Sequence, residues 1–269
     1  MRGGLIYFDE LAKHPVRPKG VITATRGNHG QSVAYAARRY GIPATVVVPH
    51  GNSTEKNAAM RAFGATLIEH GEDFQSAREH AAHLALDQHL HFVPTYHSLL
   101  VAGVATYCME LLRSVADLDA VFVPIGLGSG ASGMIAARDA LGLRCEIIGV
   151  VSSHSPAYAQ SFAARRAISV PSETRLADGM ACRTPDPGAL EIILRGLSRI
   201  VEVSDAEVAE AMRTLYACTH NVAEGAGATS FAALQKEQDG WRGRRVAVIM
   251  SGGNVDTTVL ASVLGGQFK

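Results

Sequence analysis

Eight short apolar runs, rich in valine and isoleucine, alternate with helix-length stretches along the whole chain. Runs such as "TVVVP" (Thr45–Pro49) and "RVAVIM" (Arg245–Met250) are almost continuously apolar, unlike the in-out alternation of a strand with one face in water. Strands of this kind are buried on both faces, and a chain that returns through a helix after each one lays them parallel. The strands expected are Val21–Ala24, Ala44–Pro49, Ala65–Glu69, His91–Val93, Ala120–Ile125, Cys145–Val151, Arg199–Val203 and Arg245–Met250. Helices are expected over Gln31–Tyr40 and Thr54–Phe63, stopped by Gly41 and Gly64, since a glycine just past a helix end readily takes the left-handed conformation. The fold class is α/β, with helices on both faces of parallel sheets.

No linker, low-complexity tract or charge run divides the chain, but residues before His97–Val101 already hold four strands and their helices. The pattern predicts a small α/β domain over residues 20–98, with 1–19 and 99–269 forming a larger one. In 269 residues, 47% are hydrophobic and 19% charged, which suits a globular protein with a sizeable core. Lys and Arg number 25 against 25 Asp and Glu, which leaves no basic stripe for nucleic acid or an anionic membrane. No apolar run approaches the roughly 18 residues of a membrane span. Asp9 and Glu10 interrupt the start where a signal peptide needs an apolar stretch, so a cytoplasmic location is expected. Cys108, Cys145, Cys182 and Cys218 form no CxxC, and free, mostly buried thiols are expected.

Three loops carry unusual chemistry. In "TATRGNHGQS" (Thr23–Ser32), Gly27 and Gly30 flank Asn28 and His29 after a strand and before a helix. Helix-start amides attract anions, and glycine lets a ligand approach the backbone; the plainer reading is Asn28 as a helix cap. In "VPIGLGSGASG" (Val123–Gly133), a strand ends at Ile125 and a helix begins near Ala131, with Gly126, Gly128, Gly130 and Gly133 between and beyond. Its literal GxGxxG invites a dinucleotide, but that ligand needs an acid at the end of the next strand, and "CEIIGVVS" ends in Val151 and Ser152. A single phosphate suits this loop better. In "VIMSGGNVD", Ser251 follows the last strand, where its hydroxyl can hydrogen-bond a ring nitrogen without protonating it. A fourth stretch, "EHAAHLALDQHLHF", holds His80, His83, His89 and His91, but it has no convincing third ligand and reads as a solvated helix face, not a metal site.

Taken together and in this order, "TRGNHGQ", "GLGSG" and "SGGN" resemble the pyridoxal-phosphate enzymes of the threonine dehydratase and serine racemase family. The resemblance runs from Arg2 to about Asp256, and "EKNAAMRAFGA", "LADGM" and "EGAGA" fall where that family has similar stretches. It implies two three-layer domains with parallel sheets, the fold-type-II (tryptophan synthase β-like) architecture, with pyridoxal 5'-phosphate between them. It also implies a homodimer acting on a small amino acid. By this resemblance Asn28 contacts the cofactor's 3-oxygen, while Gly126, Leu127, Gly128, Ser129 and Gly130 cradle its phosphate. Ser251 meets the pyridine nitrogen and Glu224 lies at the cofactor's edge. The turn Thr25, Arg26, Gly27, Asn28 and His29 faces the substrate, with Thr25, Asn28 and His29 holding its carboxylate. A serine at the ring nitrogen leaves the ring largely uncharged, which favours expulsion of a β-hydroxyl after α-proton loss. The implied reaction is dehydration of threonine or serine to a 2-oxo acid and ammonia, with the cofactor carrying the hard chemistry.

Three departures stand out. The racemase branch has a serine directly before the first loop's glycine; here that place is Arg26, so racemisation by that route is not expected. A guanidinium there can pair with a second carboxylate, stack on an aromatic ring, or turn away to bridge the domains. The branch's divalent-cation carboxylates correspond to Val151 and Ala157, so no metal is expected there. The family's Schiff-base lysine lies in a motif like S-F-K-x-R-G, of which Arg2 and Gly3 match the last two places, so the lysine falls immediately before Met1. No catalytic lysine is therefore expected within residues 1–269. Such a chain is a lyase truncated at its amino terminus or an inactive remnant; the alternative is a non-catalytic relative binding an amino acid, a phosphate ligand or a partner subunit. A nucleotide-dependent oxidoreductase is a more distant reading, disfavoured by the absent ribose acid.

Overall fold

The computed structural model describes residues 1–268. By internal contacts it forms two compact units, Met1–Gly103 and Val104–Lys269. The first runs α1 (Arg2–Ala12), β1 (Val21–Ala24), α2 (Asn28–Arg39), β2 (Ala44–Val48), α3 (Thr54–Ala62), β3 (Thr66–Glu69), α4 (Phe74–Asp87) and β4 (His91–Phe92). α5 (Ser98–Ser114) contains the division. The second unit continues with β5 (Ala120–Pro124), α6 (Ser129–Ala140), β6 (Glu146–Ser152), α7 (Ala157–Ala164), α8 (Pro187–Gly196) and β7 (Arg199–Val203). It closes with α9 (Asp205–Thr219), α10 (Gly225–Lys236), β8 (Val246–Val248) and α11 (Thr257–Leu264).

Each unit has one four-stranded sheet, ordered β3-β2-β1-β4 and β7-β6-β5-β8, with every pairing parallel. The apolar runs are continuous because both faces are covered. In the first sheet Val21, Val46 and Val48 pack with Tyr7, Phe8, Val33 and Ala36 of α1 and α2. The intervening Ile22, Ala24 and Val47 pack with Ala77, Ala81 and Ala85 of α4. The second sheet repeats the arrangement: Phe122, Ile148, Val150 and Val201 meet apolar residues of α9 and α10, while Val121, Val123 and Ile147 are buried on the face where α6 packs. Each unit is thus a three-layer sandwich.

Residues 1–19, expected with the larger domain, belong to the first unit instead. α1 turns Tyr7, Phe8 and Leu11 into the core beneath β1 and β2. Glycines on both sides bring it close to α5: a Cβ on Gly3 would lie 2.9 Å from the Leu100 carbonyl oxygen, and one on Gly103 of α5 would lie 2.4 Å from that of Arg2. No helix among the described residues is long and apolar enough to cross a membrane. Cys108, Cys145 and Cys182 are buried and Cys218 is exposed, and none of the four forms a disulfide among the described residues.

Phe8 is fully buried and stacks on Tyr40 with ring centroids 6.4 Å apart. Phe8→Ala is expected to cost about 3–5 kcal/mol, seen as a lowered urea midpoint at unchanged slope. A loss under about 1 kcal/mol would mean that α1 is dispensable to the first core.

Candidate functional site

In parallel sheets, ligands bind beyond the carboxyl ends of strands, and three loops with ligand chemistry leave such ends here. The first follows β1. The Thr25 hydroxyl oxygen accepts from the Gly27 amide at 2.9 Å and the Gly30 amide at 3.2 Å, folding the turn over itself. α2 begins at Asn28 with Gly27 as its N-cap, so Asn28 does not cap the helix; Thr25 takes that part from three residues upstream. Gly30 is glycine because a Cβ would meet Thr25 Cγ2 at 2.4 Å and Met60 Sδ at 2.5 Å. The outcome is a helix start with Asn28 exposed at its tip and Thr25 buried beneath it.

His29 is held from below. The Thr23 hydroxyl donates to the Val93 carbonyl at 2.8 Å, so toward His29 Nε2, 3.0 Å away, its oxygen acts as acceptor. His29 therefore carries its proton on Nε2 when neutral. Burial, helped by the nearby Met1 ammonium group, lowers its pKa from 6.5 to about 4. A neutral imidazole in this tautomer cannot attract a carboxylate by charge, so the anion chemistry of this turn rests on backbone amides and on its other side chains.

The second loop follows β5. Gly128 takes φ +96° as the N-cap of α6. The Ser132 amide is the first to bond back, to the Gly128 carbonyl at 2.9 Å. The amides of Ser129, Gly130 and Ala131 thus open the helix with no protein acceptor among the described residues. Buried Tyr158 fixes the loop from behind: its hydroxyl donates to the Leu127 carbonyl at 2.9 Å and accepts from the Asp186 amide at 3.3 Å. A Cβ on Gly128 would lie 2.7 Å from Ala189 Cβ and 3.0 Å from the Tyr158 hydroxyl, and one on Gly126 would lie 2.4 Å from the Gly179 carbonyl oxygen. This backbone has the geometry of a phosphate cradle: unpaired amides, a left-handed glycine and the positive end of a 12-residue helix.

The third loop follows β8, which pairs with β5, so Ser251 leaves the sheet beside the cradle. Ser251 is exposed. Its glycines pack on the start of α10: the Glu224 amide donates to the Gly252 carbonyl at 3.0 Å, and a Cβ on Gly227 would fall 2.3 Å from that oxygen. Gly225 approaches the Leu176 carbonyl equally closely. "LADGM", "EGAGA" and "SGGN" therefore meet as bare backbone, with Glu224 buried at the junction as the N-cap of α10. The unpaired amides of the cradle and the hydroxyl beside it fit a phosphate ester with a ring nitrogen.

The second unit thus brings Gly126, Leu127, Gly128, Ser129, Gly130, Glu224 and Ser251 to one end of one sheet, while Thr25, Arg26, Gly27, Asn28 and His29 share the turn after β1 in the first. Thr23, Lys56, Tyr158 and Asp186 went unread. Thr23 had a detectable signal, a hydroxyl inside an otherwise apolar strand; Tyr158 had none, since its target lies 31 residues away. The histidine-rich stretch disperses: His80 stacks on His70 at 3.7 Å between centroids, His83 pairs with Asp87 and His91 bonds the Tyr7 hydroxyl. Among the described residues no three His, Cys, Asp or Glu side chains group as metal ligands.

Residues 1–252 match the model of a family described as pyridoxal-phosphate dependent enzymes. The chain is 33% identical to an L-threonine ammonia-lyase of Thermotoga maritima, over 92% of its own length and 62% of that protein's. It is 34% identical to an L-threo-3-hydroxyaspartate ammonia-lyase of a Pseudomonas species, over 96% of its own length and 80% of the relative's. Its fold superposes with a TM-score of 0.90 on the processed form of threonine deaminase isoform 2 from Solanum lycopersicum, at 27% identity over 98% of this chain and 78% of that one.

Two measurements probe this geometry. Gly128→Val adds both backbone strain and a clash, and it is expected to lower stability by roughly 1–3 kcal/mol and to abolish phosphate binding at the cradle. Undiminished phosphate binding in a folded variant would remove the cradle assignment. His29 is expected to titrate near pH 4 by NMR. Because its folded value lies below its unfolded one, its share of stability is complete above about pH 6.5 and is lost as pH falls toward 4. A His29 resonance titrating near 6.5 would contradict the Thr23 arrangement.

Proposed function

The chain belongs to the pyridoxal-phosphate dependent enzyme family, and from that footing we propose that it is an ammonia-lyase. The reaction eliminates water from a β-hydroxy amino acid, and water then hydrolyses the imine that the released enamine becomes, which frees ammonia and leaves a 2-oxo acid. The named activities of its relatives put threonine and 3-hydroxyaspartate in the substrate range, and the family resemblance of the sequence adds serine. The observation that carries the cofactor's place is the run of unpaired amides at Ser129, Gly130 and Ala131.

When bound, the cofactor supplies an electron-withdrawing ring that makes the α-proton labile and lets the β-hydroxyl depart. The chain's own residues bind and orient. The cradle amides hold the phosphate, and Tyr158 keeps the Leu127 carbonyl turned away from it. Ser251 would hydrogen-bond the ring nitrogen without giving it a proton, chemistry that suits elimination. Asn28 is assigned the 3-oxygen, Glu224 the cofactor's edge, and the Thr25–His29 turn the substrate carboxylate. Neutral His29 contributes its backbone amide at the helix start, not a charge.

A second reading, a relative that binds without catalysis, is favoured by the lysines. Lys13, Lys19 and Lys236 are exposed, Lys56 lies against Gly27 in the first unit, and Lys269 lies outside the described residues. Among the described residues of the second unit the one lysine, Lys236, ends α10 and donates to the Glu202 carbonyl, so no lysine of that unit leaves a strand's carboxyl end beside the cradle, and covalent capture of the cofactor by these residues is not expected. A cytoplasmic homodimer is proposed from the family resemblance, and light scattering tests the dimer.

Two results test the function. Pyridoxal 5'-phosphate is expected to bind at least tenfold tighter than pyridoxal, read by absorbance titration; equal affinities would defeat the cradle. Borohydride reduction of the 269-residue chain with the cofactor, followed by peptide mass spectrometry, is expected to give no stoichiometric adduct, with negligible dehydration of threonine. An adduct at Lys56 together with turnover would overturn the lysine argument and establish the lyase.

A further inference from the structure

We propose that the first unit carries a second ligand site, a cavity at the end of α1 that takes a small carboxylate with an apolar body. The cavity holds about 580 Å³, and Tyr7, Glu10, Lys13, His14, His91 and His97 supply its polar lining. All six belong to Met1–Gly103. His91 opens β4 and pairs with Val21, the first residue of β1, so the cavity lies at the amino end of the sheet. The turn after β1 leaves the opposite end, and the lyase reading is not needed here.

The hydrogen-bond inventory calls for an acceptor. His97 Nδ1 accepts from the Leu99 amide at 3.1 Å, so the neutral ring carries its proton on Nε2. No protein group among the described residues accepts that proton. The Tyr7 hydroxyl and His91 Nε2 lie 2.8 Å apart. If the phenol donates, His91 keeps a proton on Nδ1; if the ring donates, the phenol hydrogen is left over. Either way the pair retains one proton that no described protein group takes. Burial raises the Tyr7 pKa, so the phenol stays neutral and keeps its hydrogen. Donors left unmatched in a half-buried place are costly, and a carboxylate brings two oxygens to meet them.

Charge fixes the sign of the ligand. Lys13 and Glu10 pair at 2.5 Å, which cancels the two permanent charges of the lining. Burial, and the positive charge of His14 and His97 when protonated, hold the His91 pKa below the usual imidazole range. The titratable groups that share the cavity with His91 are Tyr7, Glu10 and Lys13 of α1, His14 beyond it and His97 before α5. β1 brings only Val21 beside it, and Phe92 packs on the other face with α4. An anion among three imidazoles relieves their mutual repulsion, so its binding takes up protons. Leu11, Pro15 and Leu99 complete the walls, which inorganic phosphate would leave wet and a hydrocarbon body covers. Among the described residues the three imidazoles do not group as metal ligands.

The test follows the histidine ring protons of the full chain by NMR as benzoate, benzyl alcohol or benzylamine is added. At about pH 6 benzoate is expected to shift the His91 and His97 resonances saturably and to bind about fivefold tighter than benzyl alcohol, the margin of a charge-assisted hydrogen bond over a neutral one. Benzylamine should move neither. Because the bound anion raises the imidazole pKa, benzoate affinity should fall about threefold between about pH 6 and pH 8. His97→Asn keeps an acceptor for the Leu99 amide but loses the Nε2 proton, and it should weaken benzoate about threefold and benzyl alcohol less. His91→Gln keeps a partner for the Tyr7 hydroxyl but cannot charge, so it should flatten the pH dependence. If His97→Asn fails to fold, His91→Gln decides. Equal affinities for benzoate and benzyl alcohol, tighter binding of benzylamine, or a folded variant that behaves as the parent would overturn the proposal. So would shifts confined to His29, which would put the anion at the turn after β1 instead.

Discussion

The functional end of the second unit depends on backbone meeting backbone with nothing between. At Gly126, Gly225 and Gly227 a single added carbon would run into a carbonyl oxygen at 2.1 to 2.4 Å. Such approaches bring four loops from distant parts of the chain into one small volume. Any side chain there would push "LADGM" from the cradle or "SGGN" from α10, and Ser251 would move with its loop. Close contact orders these short segments, and Leu176 of "LADGM" anchors them in the second core.

The first unit reaches the same end by a different device, a hydroxyl wired to the backbone. Thr25 ties two amides of its turn, and Thr23 ties His29 to the edge strand through Val93. Both threonines belong to the β-branched vocabulary of strands, so a sheet-forming residue also serves as the organiser of the loop. The consequence for chemistry is that His29 is held neutral and fixed in one tautomer while Asn28 stays accessible.

Much of this was legible in the residues, and the boundary of legibility is physical. Strand pattern located β1 and β7 to the residue, because continuous burial on both faces leaves little freedom in where such a strand starts. The helix after β1 begins three residues earlier than expected, at Asn28, because Thr25 caps it from outside the range in which a cap is normally sought. The assignment of α1 could not be read: Tyr7, Phe8 and Leu11 mark an apolar face, but a face does not name its partner. Tyr158 was invisible for the same reason, since its hydrogen bond joins segments with no shared pattern. The loop glycines were read as places where a ligand approaches; at Gly126, and at Gly225 and Gly227, which carried no such reading, the structure shows close packing against neighbouring backbone.

The cradle after β5 is made of peptide groups alone. Amides at Ser129, Gly130 and Ala131 neither gain nor lose protons across the range in which proteins work, and no charged side chain belongs to the donor set. An anion held this way meets a site whose own charge state never changes. Whatever acidity profile its retention shows will be that of the anion's second ionisation, written directly into the binding curve, and the protein will act toward it as a fixed electrostatic background.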